Sequence, residues 1–386
     1  YELPRTLGYI EEILLSRQYE FLNLSLGPDL PIEDTEVHAW TSVIDDHLSD
    51  GETFLTIAAG NNGALDDASG NSRIQVPGDS VHAVCVGAAD SQSSAWSKAV
   101  YSAIGPGRSP GLVKPDMVAF GGDSIEYFHT VVSGPSPTIV PTMGTSFAAP
   151  YLLRHAVAIR AILGRDLSPL AIKALLINAA ERNSLTSRDV GWGRVPTDIF
   201  EVISSGEGVA RIIYQGELKS GKYLRAPIPI PPGGLTGKVR IGATFCYAAD
   251  VDPQDAPAYT RAGLEVVFRP SDKKKRKGSE SIASKRFFSK PNYATESELR
   301  SDYGKWETIL SDSCKMLGTS LVNPAFDVHY VARDGGAQTS KLSKMKYALV
   351  VTIEAKRHAN IYSEILKAYS SILVAVEPRI SIPVRV

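Results

Sequence analysis

Cysteine, net charge and long apolar runs are what this sequence has least of. Three cysteines, Cys85, Cys246 and Cys314, stand among 386 residues. That number is small and odd, which excludes a disulfide framework and points to a reducing, cytoplasmic setting. Cys85 and Cys246 lie in apolar strands and read as inert core residues, while Cys314 lies in a polar stretch and reads as exposed. None has the spacing of a zinc ligand. Lys plus Arg number 41 and Asp plus Glu 42, a net charge of −1. This balance gives no reason to expect nucleic acid or an anionic membrane as the main partner. No apolar run reaches the ~18 residues needed to span a bilayer. Tyr1 to Arg5 resembles neither an initiator nor a secretory signal.

The chain has two halves of different pattern. In the first, helical and strand-like segments alternate. Residues 6–18 carry Ile10, Ile13 and Leu14 at helical spacing, and 32–49 carry Val37, Trp40, Val43, Ile44 and Leu48 on one side. Apolar runs at 21–26, 54–59 and 81–88 read as buried strands. Helices are expected at 147–163 and, with Ser168 as N-cap and Pro169 in the first turn, at 169–181. Such alternation implies a parallel α/β sheet covered on both faces. Beyond residue 206 the period becomes two: Val239, Ile241, Ala243, Phe245 and Tyr247 share a face, as do Tyr347, Leu349, Val351 and Ile353. Pro and Gly cluster between such runs, the pattern of a β-sandwich. The basic run Lys273–Lys277 reads as a solvated hairpin tip rather than a nucleic-acid contact.

Three segments carry chemistry. In Gly144-Thr145-Ser146-Phe147-Ala148-Ala149-Pro150 a serine stands at a helix N-terminus, where free N–H groups and the dipole favour negative charge. A serine is a poor nucleophile until a base takes its proton. In Ala58-Ala59-Gly60-Asn61-Asn62-Gly63 an asparagine follows a parallel strand, at the ligand-binding edge of such sheets. Its amide can donate to a developing oxyanion. In Asn23-Leu24-Ser25-Leu26-Gly27 a strand ends in small residues, which lets an extended peptide pair with its backbone. Taken singly, these segments also read as a capped buried helix, a turn and a core strand.

Together and in this order the three segments resemble the subtilisin-like serine proteases, or subtilases, over about residues 6–205. Val76-Pro77-Gly78, Val113 to Ala119 and Val190 to Val195 add weaker matches. The resemblance implies that Ser146 is the nucleophile and that Asn61, with the Ser146 N–H, forms the oxyanion hole. It also implies that Ser25, Leu26 and Gly27 pair with substrate, while Ala58, Ala59 and Gly60 wall the pocket at the cleavage site. Gln75 falls where the family often has glycine, and a longer side chain there shortens or polarises that pocket. Pro77 matches a proline that the family often holds in cis.

The resemblance also implies a catalytic Asp and His on earlier motifs, and neither motif occurs. None of the seven histidines precedes glycine: His38, His47, His82, His129, His155, His329 and His358. His38 and His47 read as exposed on a helix, and His82 as the start of a structural strand. His155 lies about 13 Å past Ser146 along its helix, too far for a hydrogen bond. The expectation is a subtilase catalytic domain over 1–205, truncated at its N-terminus, followed by a β-sandwich or jelly-roll-like domain over 206–386. The expected function is a serine endopeptidase acting through an acyl-enzyme on Ser146, with this chain inactive alone. The alternative is a pseudoprotease or peptide-binding scaffold using the Asn23–Gly27 edge. Expected partners are a polypeptide substrate, the missing N-terminal segment and, by analogy with bacterial cytoplasmic subtilases, an AAA-type ATPase. The family often binds Ca²⁺. The loop with Asp66, Asp67 and Asn71 reads as an ordinary turn, and no metal site is assigned.

Overall fold

The alternation in the first half builds four strands laid side by side in chain order. The computed structural model describes residues 2–275, 278, 280, 282–288, 304, 306–333 and 344–376. β1 (Phe21–Leu24), β2 (Phe54–Ala58), β3 (Val84–Ala89) and β4 (Met117–Phe120) form the sheet β1-β2-β3-β4. Every neighbouring pair in it is parallel. β3 and β4 are buried along their whole length. Their continuous apolar runs need cover on both faces. α1 (Leu3–Ser16) and α2 (Ala39–Leu48) supply part of it through Leu14, Ile44 and Leu48, which pack on Leu24, Leu55 and Ile57. α3 (Thr145–Leu163) covers Val84, Val86, Met117 and Ala119 through Ala148, Leu152, Ala156 and Ile159. β1 is an edge strand, and among the described residues no strand pairs with its outer side.

Between β4 and α3 the chain makes an antiparallel hairpin, β5 (Phe128–Val132) and β6 (Thr138–Thr142), that the apolar pattern alone does not predict. Phe128 anchors it by stacking on Phe120 and Phe147. α4 (Pro169–Ala179) follows, with Ser168 Oγ accepting from Ala171 N–H as the expected cap. The short helices α5 (Ser187–Val190) and α6 (Ile199–Ile203) complete this half.

Two starts differ from the sequence reading. α2 begins at Ala39 rather than near 32, because His38 Nδ1 accepts from Trp40 N–H and caps the helix there. Both His38 and His47 are half-buried, not exposed. β3 begins after His82, whose ring is buried and engaged by Asp45 and Ala249 instead of starting the strand.

The second half is antiparallel. β7 (Val209–Leu218), β9 (Lys238–Tyr247), β11 (Ile309–Leu317) and β13 (Met345–Glu354) form the sheet β11-β9-β13-β7. β8 (Tyr223–Pro227), β10 (Ala262–Arg269) and β12 (Ala325–Ala332) form β10-β12-β8. The register pairs Ile241 with Ile353, Ala243 with Val351, Phe245 with Leu349 and Tyr247 with Tyr347. The two period-two faces thus meet on one side, where they pack on Leu264, Phe268, Phe326 and Val328 of the smaller sheet and on Ile361 and Ile365 of α7 (Ile361–Ala368). Cys314 is half-buried on β11 against this core rather than exposed. Of the basic run, Lys275 bridges Ile282 in antiparallel fashion, while 276–277 lie outside the described residues.

The other face of the larger sheet is not solvated. Cys246, Ala248, Ala348 and Val350 join the core formed by α3, α4 and the parallel sheet. α4 is consequently buried from Pro169 through Ile177, including Lys173. Asn178 at its end donates to Thr244 Oγ1 and accepts from Thr352 Oγ1. A chain ended at residue 205 would expose the apolar flank of α4. It should be recovered aggregated, or without a near-ultraviolet circular dichroism signal. A soluble monomer with native-like signal would contradict this. Among the described residues no helix is long and apolar enough to cross a membrane.

Candidate active site

The three chemistry-bearing segments converge where the C-terminal ends of β1 and β2 meet the N-terminus of α3. Asn61 follows β2, and its Oδ1 accepts from Thr145 N–H at 2.9 Å and from Thr145 Oγ1–H at 3.0 Å. A backbone N–H can only donate, so this bond fixes which end of the amide is oxygen. The Asn61 Nδ2 group is left without a hydrogen-bond acceptor among the described residues. A Cβ on Gly144, at the start of α3, would lie 3.6 Å from it. Ser146 is half-buried in the first turn of α3, at the positive end of that helix's dipole. Thr145 holds this geometry, since its Oγ1 also accepts from Gly60 N–H at 3.3 Å. Sequence reasoning passed over Thr145 although it stands within the Ser146 motif.

Ser25 is tied to the same turn. Pro150 has no N–H, so the carbonyl of Ser146 lacks its partner one turn on. Ser25 Oγ–H donates to that oxygen at 3.0 Å and Asn23 Nδ2 donates to Ser25 Oγ at 2.9 Å. Leu26 is exposed and Gly27 half-buried. Gly27 faces Val76 so closely that a Cβ would sit 2.3 Å from the Val76 carbonyl oxygen. Val76-Pro77 is cis.

Ala58 is half-buried, whereas the Ala59 methyl lies in the core with Trp40, Ile74 and Val76. The Ala59 side chain is therefore taken up by that core. Gln75 N–H donates to Ala59 O at 2.9 Å, and the Gln75 side chain lies against Gly60. A Cβ on Gly60, at φ +111°, would stand 2.6 Å from Gln75 Oε1. Gln75 Nε2 donates to Asp29.

No described histidine hydrogen-bonds to Ser146. His155, along α3, engages Tyr151 O through Nδ1, and burial pushes its pKa down. His129 is exposed on β5. A cleft of about 610 Å³ lies elsewhere, between the end of α4 and strands β9, β11 and β13, and includes neither Ser146 nor Asn61.

In the Asp66–Asn71 loop, Ser69 lowers the Asp66 pKa, first through its side chain and then through its N–H, and Asp67 is engaged by Arg188 and Ser72. Among the described residues no group of three or more His, Cys, Asp or Glu could hold a metal. Burial pushes the Cys246 thiol up to about 12 and the Cys85 thiol higher, so neither is a nucleophile.

Residues 8–193 match the model of the subtilase family. Solved structures similar to the chain include the self-cleaved protease domain of PatA, at 21% identity and a TM-score of 0.38, covering 51% of this chain and 65% of that one. Sphericase is 18% identical with a TM-score of 0.39, covering 51% and 63%. Fervidolysin from Fervidobacterium pennivorans, a keratinolytic enzyme related to subtilisin, is 17% identical with a TM-score of 0.41, covering 81% of this chain and 44% of that one. The chain thus spans less than two thirds of the length of these structures. No curated protein matches the sequence. Over residues 8–193 the chain matches the subtilase family, and that match covers all three chemistry-bearing segments.

Proposed function

We propose that the protein is the larger part of a serine endopeptidase in which Ser146 Oγ attacks the substrate carbonyl. The observation that carries this reading is the Asn61 amide. Thr145 holds its oxygen, and its unpartnered nitrogen is left at the helix end that bears Ser146. A preorganised donor of this kind stabilises the tetrahedral oxyanion together with the Ser146 N–H. Ser25, Leu26, Gly27, Ala58, Gly60 and Gln75 border the peptide, with the backbone of Ala59. The base and its orienting acid come from polypeptide outside residues 1–386. That segment adds at the unpaired edge of β1, since an open edge in a parallel sheet is a template for a further strand. The base takes the Ser146 proton and delivers it to the leaving amine; water then clears the acyl-enzyme.

In the complemented enzyme, Asn61→Ala should lower kcat about 10²–10³-fold with KM little changed, a loss known from subtilisin itself. Steady-state kinetics on a peptide amide would measure it. An unchanged kcat would remove Asn61 from the oxyanion hole. The lack of a base beside Ser146 among the described residues also favours a second reading, a scaffold that binds peptides without cutting. The two separate on one experiment: supply the segment that carries the acid and base, and look for hydrolysis that Ser146→Ala abolishes. A complemented chain that binds peptide but never cuts it supports the scaffold.

A further inference from the structure

The segment from Gln75 to His82 has one end in the candidate site and the other in a buried polar junction with the β-rich half. At the site end, Gln75 N–H donates to Ala59 O and Val76 N–H to Leu30 O, each at 2.9 Å. At the junction end a single carboxylate, Asp45 of α2, is wholly buried. It accepts from Ser80 Oγ–H at 2.6 Å, Val81 N–H at 3.1 Å and His82 N–H at 3.0 Å. The His82 ring faces the same carboxylate, Nδ1 lying 3.3 Å from Oδ1, and the β-rich half adds a further donor: Tyr259 Oη–H gives a hydrogen bond to Asp45 Oδ2 at 2.9 Å.

The surroundings leave little freedom. Arg108, fully buried, lies over the Tyr259 ring at 4.5 Å, donates to Ala256 O at 3.4 Å and contacts Asp79 at 3.3 Å. Ala249 N–H donates to His82 Nε2 at 3.1 Å, and Thr308 Oγ1–H to Val81 O at 2.5 Å. Both ends of the segment are therefore held in place, one against the peptide edge and one by residues more than 160 positions later in the chain.

We infer that Tyr259 is a positioning residue for peptide binding, acting through Asp45 on the 75–82 segment and so on the wall formed by Gln75 and Val76. On this view the β-rich half is part of the site's scaffold. Because Asp45 takes Tyr259, Ser80 Oγ–H and two backbone N–H groups at once, loss of the phenol leaves one lone pair unfilled in a dry pocket. The carboxylate then re-seats, carrying Val81 and His82 with it. The inference rests on the reading that this edge binds peptide.

Tyr259→Phe in the full chain tests it, because the ring keeps its packing on Arg108. Arg225→Ala, which breaks the exposed Arg225–Asp327 pair on the smaller sheet, is the control. Two readouts are needed, both well below the melting temperature: the Kd for labelled tetra-alanine and tetra-leucine, and amide exchange at Gln75 and Val76. Tyr259→Phe should weaken peptide binding about 3- to 10-fold and speed exchange at both amides, with Arg225→Ala neutral in both. A Tyr259→Phe protein that is folded and matches wild type in exchange and Kd overturns the inference. If wild type binds neither peptide, the site reading fails instead. Exchange at Gln75 and Val76 still decides whether Tyr259 positions the wall.

Discussion

Alone, the 386-residue chain should cleave a peptide substrate about 10⁶-fold more slowly than the same chain supplied with a histidine and its orienting acid. That magnitude is known from subtilisin, a member of this family. The reason is the state of the nucleophile. A serine hydroxyl is almost wholly protonated at neutral pH, and no described histidine hydrogen-bonds to Ser146. The helix dipole and the Asn61 amide stabilise charge only after attack has begun, so they cannot replace a base. What remains is the residual acceleration that an oxyanion hole and substrate binding give by themselves. Reaction with a fluorophosphonate probe, followed by mass spectrometry of the Ser146 peptide, measures this directly. Labelling as fast as that of an intact subtilase would overturn the prediction. Labelling that appears only with the complementing segment, and is lost in Ser146→Ala, would support it.

Removing the Asp45 carboxylate should have the largest effect on folding. Asp45→Ala leaves Ser80 Oγ, Tyr259 Oη and the Val81 and His82 N–H groups without their acceptor. Breaking a buried charged network from one side typically destabilises by about 3–5 kcal/mol. The pH dependence follows from the same contacts. Burial raises the pKa of Asp45, but the hydrogen bonds it accepts from His82 and Ser80 outweigh it and hold the group at about 2 against an ordinary 3.8. A depressed carboxylate pKa means the folded state prefers the ionised form. The associated stability, about 2 kcal/mol, is fully present above pH 4 and lost as pH falls from there through about 2. Urea unfolding of wild type and Asp45→Asn between pH 2 and 6 checks both statements. The variant should be less stable at pH 6, and the gap should narrow towards pH 2. A pH-independent gap would show that Asp45 acts by shape alone.

The neighbouring ammonium groups complete this junction. Lys114 contacts Asp116 at 2.6 Å and donates to Ser80 O at 2.6 Å. Burial works against its charge, yet Asp116 outweighs it and the pKa is raised. Lys173 has no carboxylate within ion-pair reach among the described residues. It donates to His82 O at 2.9 Å and Ala83 O at 3.3 Å, and burial pushes its pKa down. These lysines tie the backbone around β3 to α4 and to the loop before β4.

Much of this was legible before the fold was known, for reasons that particular residues make plain. Continuous apolar runs at β2 and β3 mark a buried parallel sheet because such strands have no solvated face, whereas β1, at the sheet edge, buries only Leu24 fully and exposes Asn23. Alternation along β9 and β13 marks one shared face, and the register joins Ile241 to Ile353 and Phe245 to Leu349 on it. The Ser146 and Asn61 segments stand out because each sets small residues in a fixed local order beside a helix start or a strand end.

Other relations had no local signal. Asp45 stands in an amphipathic helix, where an aspartate reads as solvated until Tyr259, from the far half of the chain, is placed over it. Ser25 reads as a strand-end residue until Pro150 is seen to leave the Ser146 carbonyl free. The faces of β9 and β13 opposite the sandwich carry Cys246, Ala248, Ala348 and Val350, too small to announce a second core. The sequence by itself determined the two sheet types and the likeness of residues 8–193 to the subtilases, because period and motif are local. Only the tertiary structure decided which buried charges pair, what holds Asn61 and Ser25 in place, and that α4 joins the two halves in one core. Hydrogen-bond partners and apolar contacts far apart in the chain are chosen by position in space, which no local spacing records.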